Sequence, residues 1–278
     1  MRILITGGSL GLGLETAKAL ANQGHHIIIT SRSEDRATLA ISEIRAENPL
    51  AEVSSITLEL ADTESVDSFA SRFVDQHGNW DRLVLNAGAK VLSDFKRTSN
   101  GIEYHFGVNA VSHFAITADL LAHRSNNARV VSVSSIIARI ARPRLGPQGT
   151  QDSYRPGQSY AASKLSNLLF ALELDRKMKS NGLTSVAAHP GFARAEPYGS
   201  AMTTAAEKLL AQSAKHGALP IVAATSEPGL SGGSYLGPKY LELWGDVSKA
   251  KIPSFVSSEM LLENWEILSN LSGRELLS

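Results

Sequence analysis

The chain opens with Arg2-Ile-Leu-Ile-Thr6-Gly-Gly-Ser-Leu-Gly-Leu-Gly13, and the pattern Leu14, Ala17, Leu20, Ala21 follows at once. A short apolar run, a glycine-rich turn and a helical period, in that order, read as strand, turn and helix. Glycines at such a turn let backbone amides and the helix N-terminus approach a pyrophosphate. Thr6, Gly7, Ser9, Leu10, Gly11, Leu12 and Gly13 are therefore candidate dinucleotide contacts. The spacing is T-G-x-x-x-G-x-G, with one longer turn than G-x-G-x-x-G. A plain tight turn is the bland alternative, but glycines at a helix start cost stability unless they serve some use. Gly7, Ser9 and Gly11 also satisfy G-x-S-x-G, the nucleophile elbow of hydrolases. Ser9 follows the first strand, however, which leaves no earlier strand or loop to give a second oxyanion-hole amide.

The same rhythm recurs downstream: Ile27 to Thr30 then Glu34 to Glu47, Val53 to Leu60 then Glu64 to His77, and Leu83 to Leu85 then a helix near Gly101 to His123. Strand-like runs at Arg129 to Val133 and Thr184 to Ala188 continue it, with a helix between them. Such alternation predicts an α/β fold with a parallel sheet covered by helices on both faces, and right-handed crossovers make it doubly wound and Rossmann-like. The absence of a Pro/Gly/Ser-rich linker predicts a single domain over residues 1–278. Irregular stretches at Ile136 to Gln158 and Phe192 to about Thr204 fall beyond strand ends, so loops 136–158 and 192–220 are expected to shape a substrate pocket. After Gly232 and Gly233 come a short edge strand, Leu241-Glu-Leu-Trp244, and a closing helix near Ser257 to Leu271 with Leu261, Leu262, Trp265 and Leu268 on one stripe.

The 278 residues are 43% hydrophobic and 19% charged, enough to bury a large core. Lysine plus arginine equals aspartate plus glutamate at 27 each, so no global field recommends nucleic acid or an anionic membrane; a small molecule is the expected partner. No cysteine is present, which excludes disulfides, thiolate metal sites and a cysteine nucleophile. No apolar run reaches spanning length, and the expected location is cytoplasmic. The eight histidines lack metal-binding helix spacing, so no metal site is expected.

Further candidates stand at strand ends. Thr30-Ser-Arg32 closes the second strand, where a dinucleotide site places an acid for NAD or an arginine for a 2′-phosphate. Arg32 can pair a phosphate in a fork, which favours NADP over NAD. Arg36 could assist or be a solvated helix residue. Glu59 could accept from an adenine amino group, with Leu60 contributing backbone. Asn86-Ala87-Gly88 ends the fourth strand, where the asparagine could touch a cofactor or hold neighbouring strands together. Asn109, amid Phe106, Val108, Val111 and Phe114, needs buried partners and could bend its helix or hold a water. Ser134 and Ser135 could each donate to a carbonyl oxygen or form a turn. In Ser159-Tyr-Ala-Ala-Ser-Lys164, Tyr160 and Lys164 lie one helical turn apart, so the ammonium could draw the phenol toward acidity; packing and solvation are the bland reading of that pair. Arg139, Arg142 and Arg144 form a basic cluster that could face solvent or an acidic substrate.

Thr6 to Gly13, Asn86-Ala-Gly88, Asn109, Ser135 and Tyr160-x-x-x-Lys164 together resemble the short-chain dehydrogenase/reductase family, over residues 1 to about 195. The tail Gly232-Gly-Ser-Tyr-Leu-Gly-Pro238 is similar to the branch of retinol dehydrogenases, WW-domain oxidoreductases and light-dependent protochlorophyllide reductases. The resemblance implies that Tyr160 is the general acid or base, Lys164 lowers its pKa and holds the nicotinamide ribose, Ser135 orients the carbonyl, and Asn109 anchors a relay water. It also implies that the motif His189-Pro-Gly-Phe-Ala-Arg-Ala195 brings Pro190 and Gly191 to the cofactor, and that hydride passes between nicotinamide C4 and an alcohol or carbonyl carbon. Members commonly form homodimers or homotetramers through the helices expected near Gly101 and Gly157. Two positions depart: Ala195 stands where the family has a threonine on the nicotinamide amide, and Glu59 where aspartate is usual. The missing cysteine argues against protochlorophyllide reduction. Ala195 is the best support for an alternative, a catalytically silent nucleotide sensor or scaffold. If Arg32 reads a 2′-phosphate, Arg32→Glu will weaken NADPH binding much more than NADH binding in parallel fluorescence titrations.

Overall fold

A computed structural model of the chain describes residues 1–90, 94–140, 144–193 and 211–276. In chain order the elements are β1 (Arg2–Ile5), α1 (Gly11–Asn22), β2 (His26–Ser31), α2 (Glu34–Glu47), β3 (Val53–Thr57), α3 (Thr63–Asp67), α4 (Phe69–His77) and β4 (Trp80–Leu85). There follow α5 (Tyr104–Phe106), a π-helical turn (Gly107–Val111), α6 (Ser112–Leu120), β5 (Arg124–Val133), α7 (Ile137–Ile140) and α8 (Pro156–Met178). The chain closes with β6 (Thr184–Ala188), α9 (Ala214–Ser226), β7 (Tyr235–Tyr240), β8 (Trp244–Lys249) and α10 (Ser258–Ser272).

Eight strands form one sheet in the order β3-β2-β1-β4-β5-β6-β7-β8, parallel through β7 and antiparallel at β8. The alternation inside β1 shows how both faces are covered. Ile3 and Ile5 pack with Leu14, Leu20, Ile44 and Ile221 on one side, whereas Leu4 packs with Phe69, Phe73, Phe106 and Phe114 on the other. Strand order reverses between β1 and β4, so their carboxyl ends diverge and leave a crevice. This is the doubly wound α/β architecture expected from the sequence.

Several local expectations are corrected. Glu64 to His77 is not one helix but two, with Ser68 at the junction of α3 and α4. The helix expected near Gly101 begins at Tyr104, capped by the Glu103 carboxylate, and Gly101 sits before it with φ +83°. Asn109 lies in a π-helical turn between α5 and α6, an irregularity of the helical ladder at that residue. Part of the expected loop 192–220 is helical from Ala214, a helix masked in the sequence by Pro220 in its interior. Leu241-Glu-Leu is a tight β7–β8 turn with Leu241 and Glu242 at φ +52° and +59°, a conformation that side chains other than glycine rarely adopt. Ala195, Arg142 and residues 194–210 lie outside the described residues.

Helix α10 lies across α8 and α6. Trp265 stacks on Phe170 at 6.0 Å and meets Phe114 edge-on at 5.2 Å, and the Asn264 amide donates to the Ser166 carbonyl at 3.3 Å. Arg274 then ties the following segment to Asp67 and Asp119. Among the described residues no helix is long and apolar enough to cross a membrane. Because Trp265 fills the seam, Trp265→Ala is expected to lower stability by about 3–5 kcal/mol in urea unfolding.

Candidate active site

A cleft of about 490 Å3 runs along the carboxyl ends of β1, β2 and β4 and reaches α8. It is lined by Gly7, Ser9, Leu10, Gly11, Leu12, Gly13, Arg32, Glu59, Leu60, Asn86, Ala87, Gly88, Tyr160, Lys164 and Pro190, all singled out in the sequence. Thr30, Ser31, Ser33, Leu58, Tyr104, Val108, Val133 and Ser134 join them, as does Arg36, whose side chain therefore belongs to the cleft. The signal for these was their place at strand ends next to residues already chosen. Tyr104 and Val108 come from α5 and the π-turn, and no local pattern ties those elements to the glycine turn.

The glycine turn fits an anionic group. Helix α1 starts at Leu10 without a side-chain cap, so its first amides are left to the cleft. Gly11 has φ +54° and open space where a Cβ would stand, whereas a Cβ on Gly13 would lie 2.2 Å from the Gly7 carbonyl oxygen. The first position clears an approach; the second lets helix and strand close up.

Thr6 does not line the cleft. It is fully buried beneath it, and its hydroxyl oxygen accepts from the Asn86 and Ala87 amides, both at 3.0 Å. The Asn86 amide donates to the Thr6 carbonyl at 2.9 Å, so Asn86 joins β1 to β4 while also facing the cleft. His113 bridges Thr6 Oγ1 and the Asn109 carbonyl, each at 3.0 Å. That carbonyl can only accept, so Nδ1 carries the hydrogen and Nε2 accepts from Thr6; the Val84 carbonyl is a longer second acceptor at 3.3 Å. Burial and the nearby Lys164 push the His113 pKa down to about 3.

Asn109 is also fully buried and off the lining. Its amide oxygen accepts from Ala89 N at 2.7 Å, and its amide nitrogen donates to Ala89 O at 3.2 Å and Ser163 Oγ at 2.9 Å. The side chain thus fixes the loop after β4 onto α8. Gly191 likewise stands off the lining, beside Phe192, whose amide donates to Leu243 O in the β7–β8 turn at 3.1 Å.

The two serines separate by function. Ser134 donates to the Lys164 carbonyl at 2.7 Å and is spent on joining β5 to α8. Ser135, although off the lining, has its side chain within reach of the Tyr160 phenol and lowers its pKa. Burial outweighs that effect and pushes the phenol up. The expected lowering by Lys164 is not the arrangement found: its ammonium lies 6.0 Å from the Tyr160 ring centroid and donates to Val133 O at 2.9 Å. Lys164 is itself pushed down to about 8 by burial. At the other end Glu59 is already engaged, accepting from Ala61 N at 2.9 Å and facing Arg32 at 3.6 Å, so an adenine amino group would have to share it.

The sheet, crevice and glycine turn define a doubly wound fold of the dinucleotide-binding class. Residues 1–205 match the model of the short chain dehydrogenase family, and the chain belongs to that family. It is 38% identical over 196 residues to mouse retinol dehydrogenase 12, covering 70% of this chain and 62% of that protein. It is 37% identical over 202 residues to the human WW domain-containing oxidoreductase, covering 68% of this chain and 48% of that protein. The match thus spans less than two thirds of these relatives. Among solved structures, an uncharacterized protein from Mycobacterium paratuberculosis superposes with TM-score 0.80 at 30% identity, covering all of this chain and 95% of that one. A short chain dehydrogenase from Burkholderia cenocepacia J2315 in complex with NADP superposes with TM-score 0.68 at 26% identity, covering 88% and 96%.

His113 makes acid stability a readout of this network. Between its ordinary value of 6.5 and about 3, the unfolded chain binds a proton that the folded protein refuses. Stability will therefore fall as pH drops through that window, by roughly 1 kcal/mol per pH unit from this residue. Urea unfolding at several pH values should show a shallower slope for His113→Gln.

Proposed function

We propose that the chain is an NADP(H)-linked oxidoreductase acting on an alcohol and carbonyl pair, with Tyr160 as general acid and base. The observation that carries this reading is one cleft with an uncapped helix start over open glycine at one end and Tyr160 and Lys164, with Ser135 beside the phenol, at the other. Support for a phosphorylated adenosine comes from Arg32, Arg36, Ser31 and Ser33 grouped at the end of β2 and from the NADP held by the Burkholderia relative. The bound cofactor supplies or accepts hydride at nicotinamide C4.

The chain's own residues manage the rest. In reduction Tyr160 gives its proton to the carbonyl oxygen, and in oxidation it takes the alcohol proton back. A phenol kept neutral by burial is ready for the first role. Ser135 donates to the same oxygen and stays neutral. Lys164 keeps one hydrogen on Val133 O and directs the remainder of its charge into the cleft, toward ribose hydroxyls. Asn109 holds Ala89 and Ser163 in place around this centre and anchors a relay water through its carbonyl, which it shares with His113. Similarity to proteins named retinol dehydrogenases supports an alcohol as the reduced partner, and its recognition is assigned in this proposal to residues 136–158 and 192–220, the second stretch running into α9. A single functional domain over 1–278 and a cytoplasmic location belong to the same proposal.

Tyr160→Phe is expected to bind NADPH normally and to lose turnover about 10²-fold or more. The assay follows nicotinamide absorbance against 4-nitrobenzaldehyde, decanal, cyclohexanone and a vicinal diketone. Normal turnover by the variant would remove the mechanism. Turnover of any carbonyl by the unmodified protein would eliminate the silent sensor.

A further inference from the structure

A polar cluster outside the cleft lining touches Tyr160 from the side. Glu103 and His105 are 3% and 0% exposed, depths at which ionisable groups persist only with partners. His105 Nε2 lies 2.7 Å from the Lys90 carbonyl, which can only accept, so Nε2 carries a hydrogen. Nδ1 faces two groups, Glu103 Oε1 at 2.9 Å and the Tyr154 hydroxyl at 3.0 Å. Glu103 is fixed in turn by the amides of His105 at 3.0 Å and Phe106 at 2.9 Å.

The rings carry this anchoring outward. His105 stacks nearly parallel to Tyr154, 16° between planes at 6.3 Å, and stands nearly perpendicular to Tyr160, 75° at 6.1 Å. Phe95 meets the far side of Tyr154 edge-on at 5.4 Å. Tyr154 ends the loop before α8, two residues ahead of Pro156 and six ahead of Tyr160. One buried imidazole therefore touches both the loop entering the helix and the ring proposed to do the chemistry.

We infer that His105, held by Glu103, is a positioning residue for Tyr160: it latches Tyr154 down over the start of α8 and backs the Tyr160 ring, fixing the phenol relative to Ser135. The inference deepens the proposed function and rests on it. Burial and the charges of Glu103 and Asp94 push the Tyr154 pKa up to about 12, so its hydroxyl keeps its proton and the latch persists across the neutral range. Removing either partner of Nδ1 leaves a buried polar atom short of a bond. Proton transfer depends on placement to within a fraction of an ångström, so the loss should fall on turnover.

The test compares Tyr154→Phe, His105→Phe and His105→Asn with the unmodified protein, using the best carbonyl of the panel above. Tyr154→Phe keeps its ring and deletes only the hydroxyl at a partly exposed site, which guards against a simple failure to fold. The expected result is a fall in kcat of tenfold or more for both phenylalanine variants, with the NADPH dissociation constant of Tyr154→Phe unchanged and its melting temperature lowered by only about 2–4 °C. His105→Asn, whose amide offers an acceptor for the Tyr154 hydroxyl and a donor for Glu103, should recover part of kcat. Unchanged kcat in Tyr154→Phe and His105→Phe overturns the inference. So does a loss of NADPH affinity equal to the loss of kcat in Tyr154→Phe, which would mean a general loosening. If Tyr160→Phe turns over normally, the proposed function falls and the inference with it; if Tyr160→Phe is inactive and Tyr154→Phe is normal, only the inference falls.

Discussion

The hydrogen bond between Thr6 and His113 closes the structure where it would otherwise open. At the switch between β1 and β4 the two strands part, and their last peptide groups lose sheet partners just where the crevice begins. The Thr6 hydroxyl accepts both amides that follow β4, and its own hydrogen is directed at His113. His113 carries the link to the Asn109 carbonyl inside the π-turn, and the Asn109 amide carries it to Ala89 and to Ser163 on α8. Strand end, loop and two helices thus share one satisfied polar network. An apolar substitute would leave several buried peptide groups unpaired, which costs more than the network's net strength.

The same economy shapes the groups around the cleft. Ser134, Asn86 and Thr6 look from the sequence like ligand contacts, yet each has hydrogen bonds committed to the backbone that holds the cleft open. Ser135, Tyr160 and the remaining donors of Lys164 are the groups on which the proposed reaction draws. Burial raises the phenol and lowers the ammonium to about 8, so the Tyr160 phenol holds its proton more firmly than the Lys164 ammonium does.

The second half of the chain works as a frame. Helix α10 seals the aromatic seam between α6 and α8, and the β7–β8 turn supports the segment after β6 through Leu243. Glu242, held in the left-handed region, reaches Arg139 of α7 and faces His189 Nε2 at 3.6 Å. A strained turn is tolerable when surrounding contacts over-determine it, and this one links the residues after Ser135 to those before Pro190.

Much of this protein was legible in its residues one after another. Period and punctuation alone determined the alternating β and α elements, the parallel sheet and the glycine turn, because those signals are local: glycine at a strand-to-helix turn, apolar residues at periods two and 3.6. Tyr160 and Lys164 were visible as a pair one helical turn apart, but only their combination with the glycine turn, Asn109 and Ser135 singled them out. Only the tertiary structure decided which of two adjacent serines faces Tyr160, that Thr6 lies beneath the cleft, that Arg36 enters it, and that Glu103, His105 and Tyr154 meet behind the catalytic candidate. Those facts depend on where a hydroxyl or ring points after segments distant in the sequence have packed, up to 107 residues apart for Thr6 and His113, and a hydrogen bond between distant side chains leaves no period in the sequence. The helix through Pro220 and the turn at Leu241-Glu242 were hidden for a related reason: packing overrode the local preference of their residues.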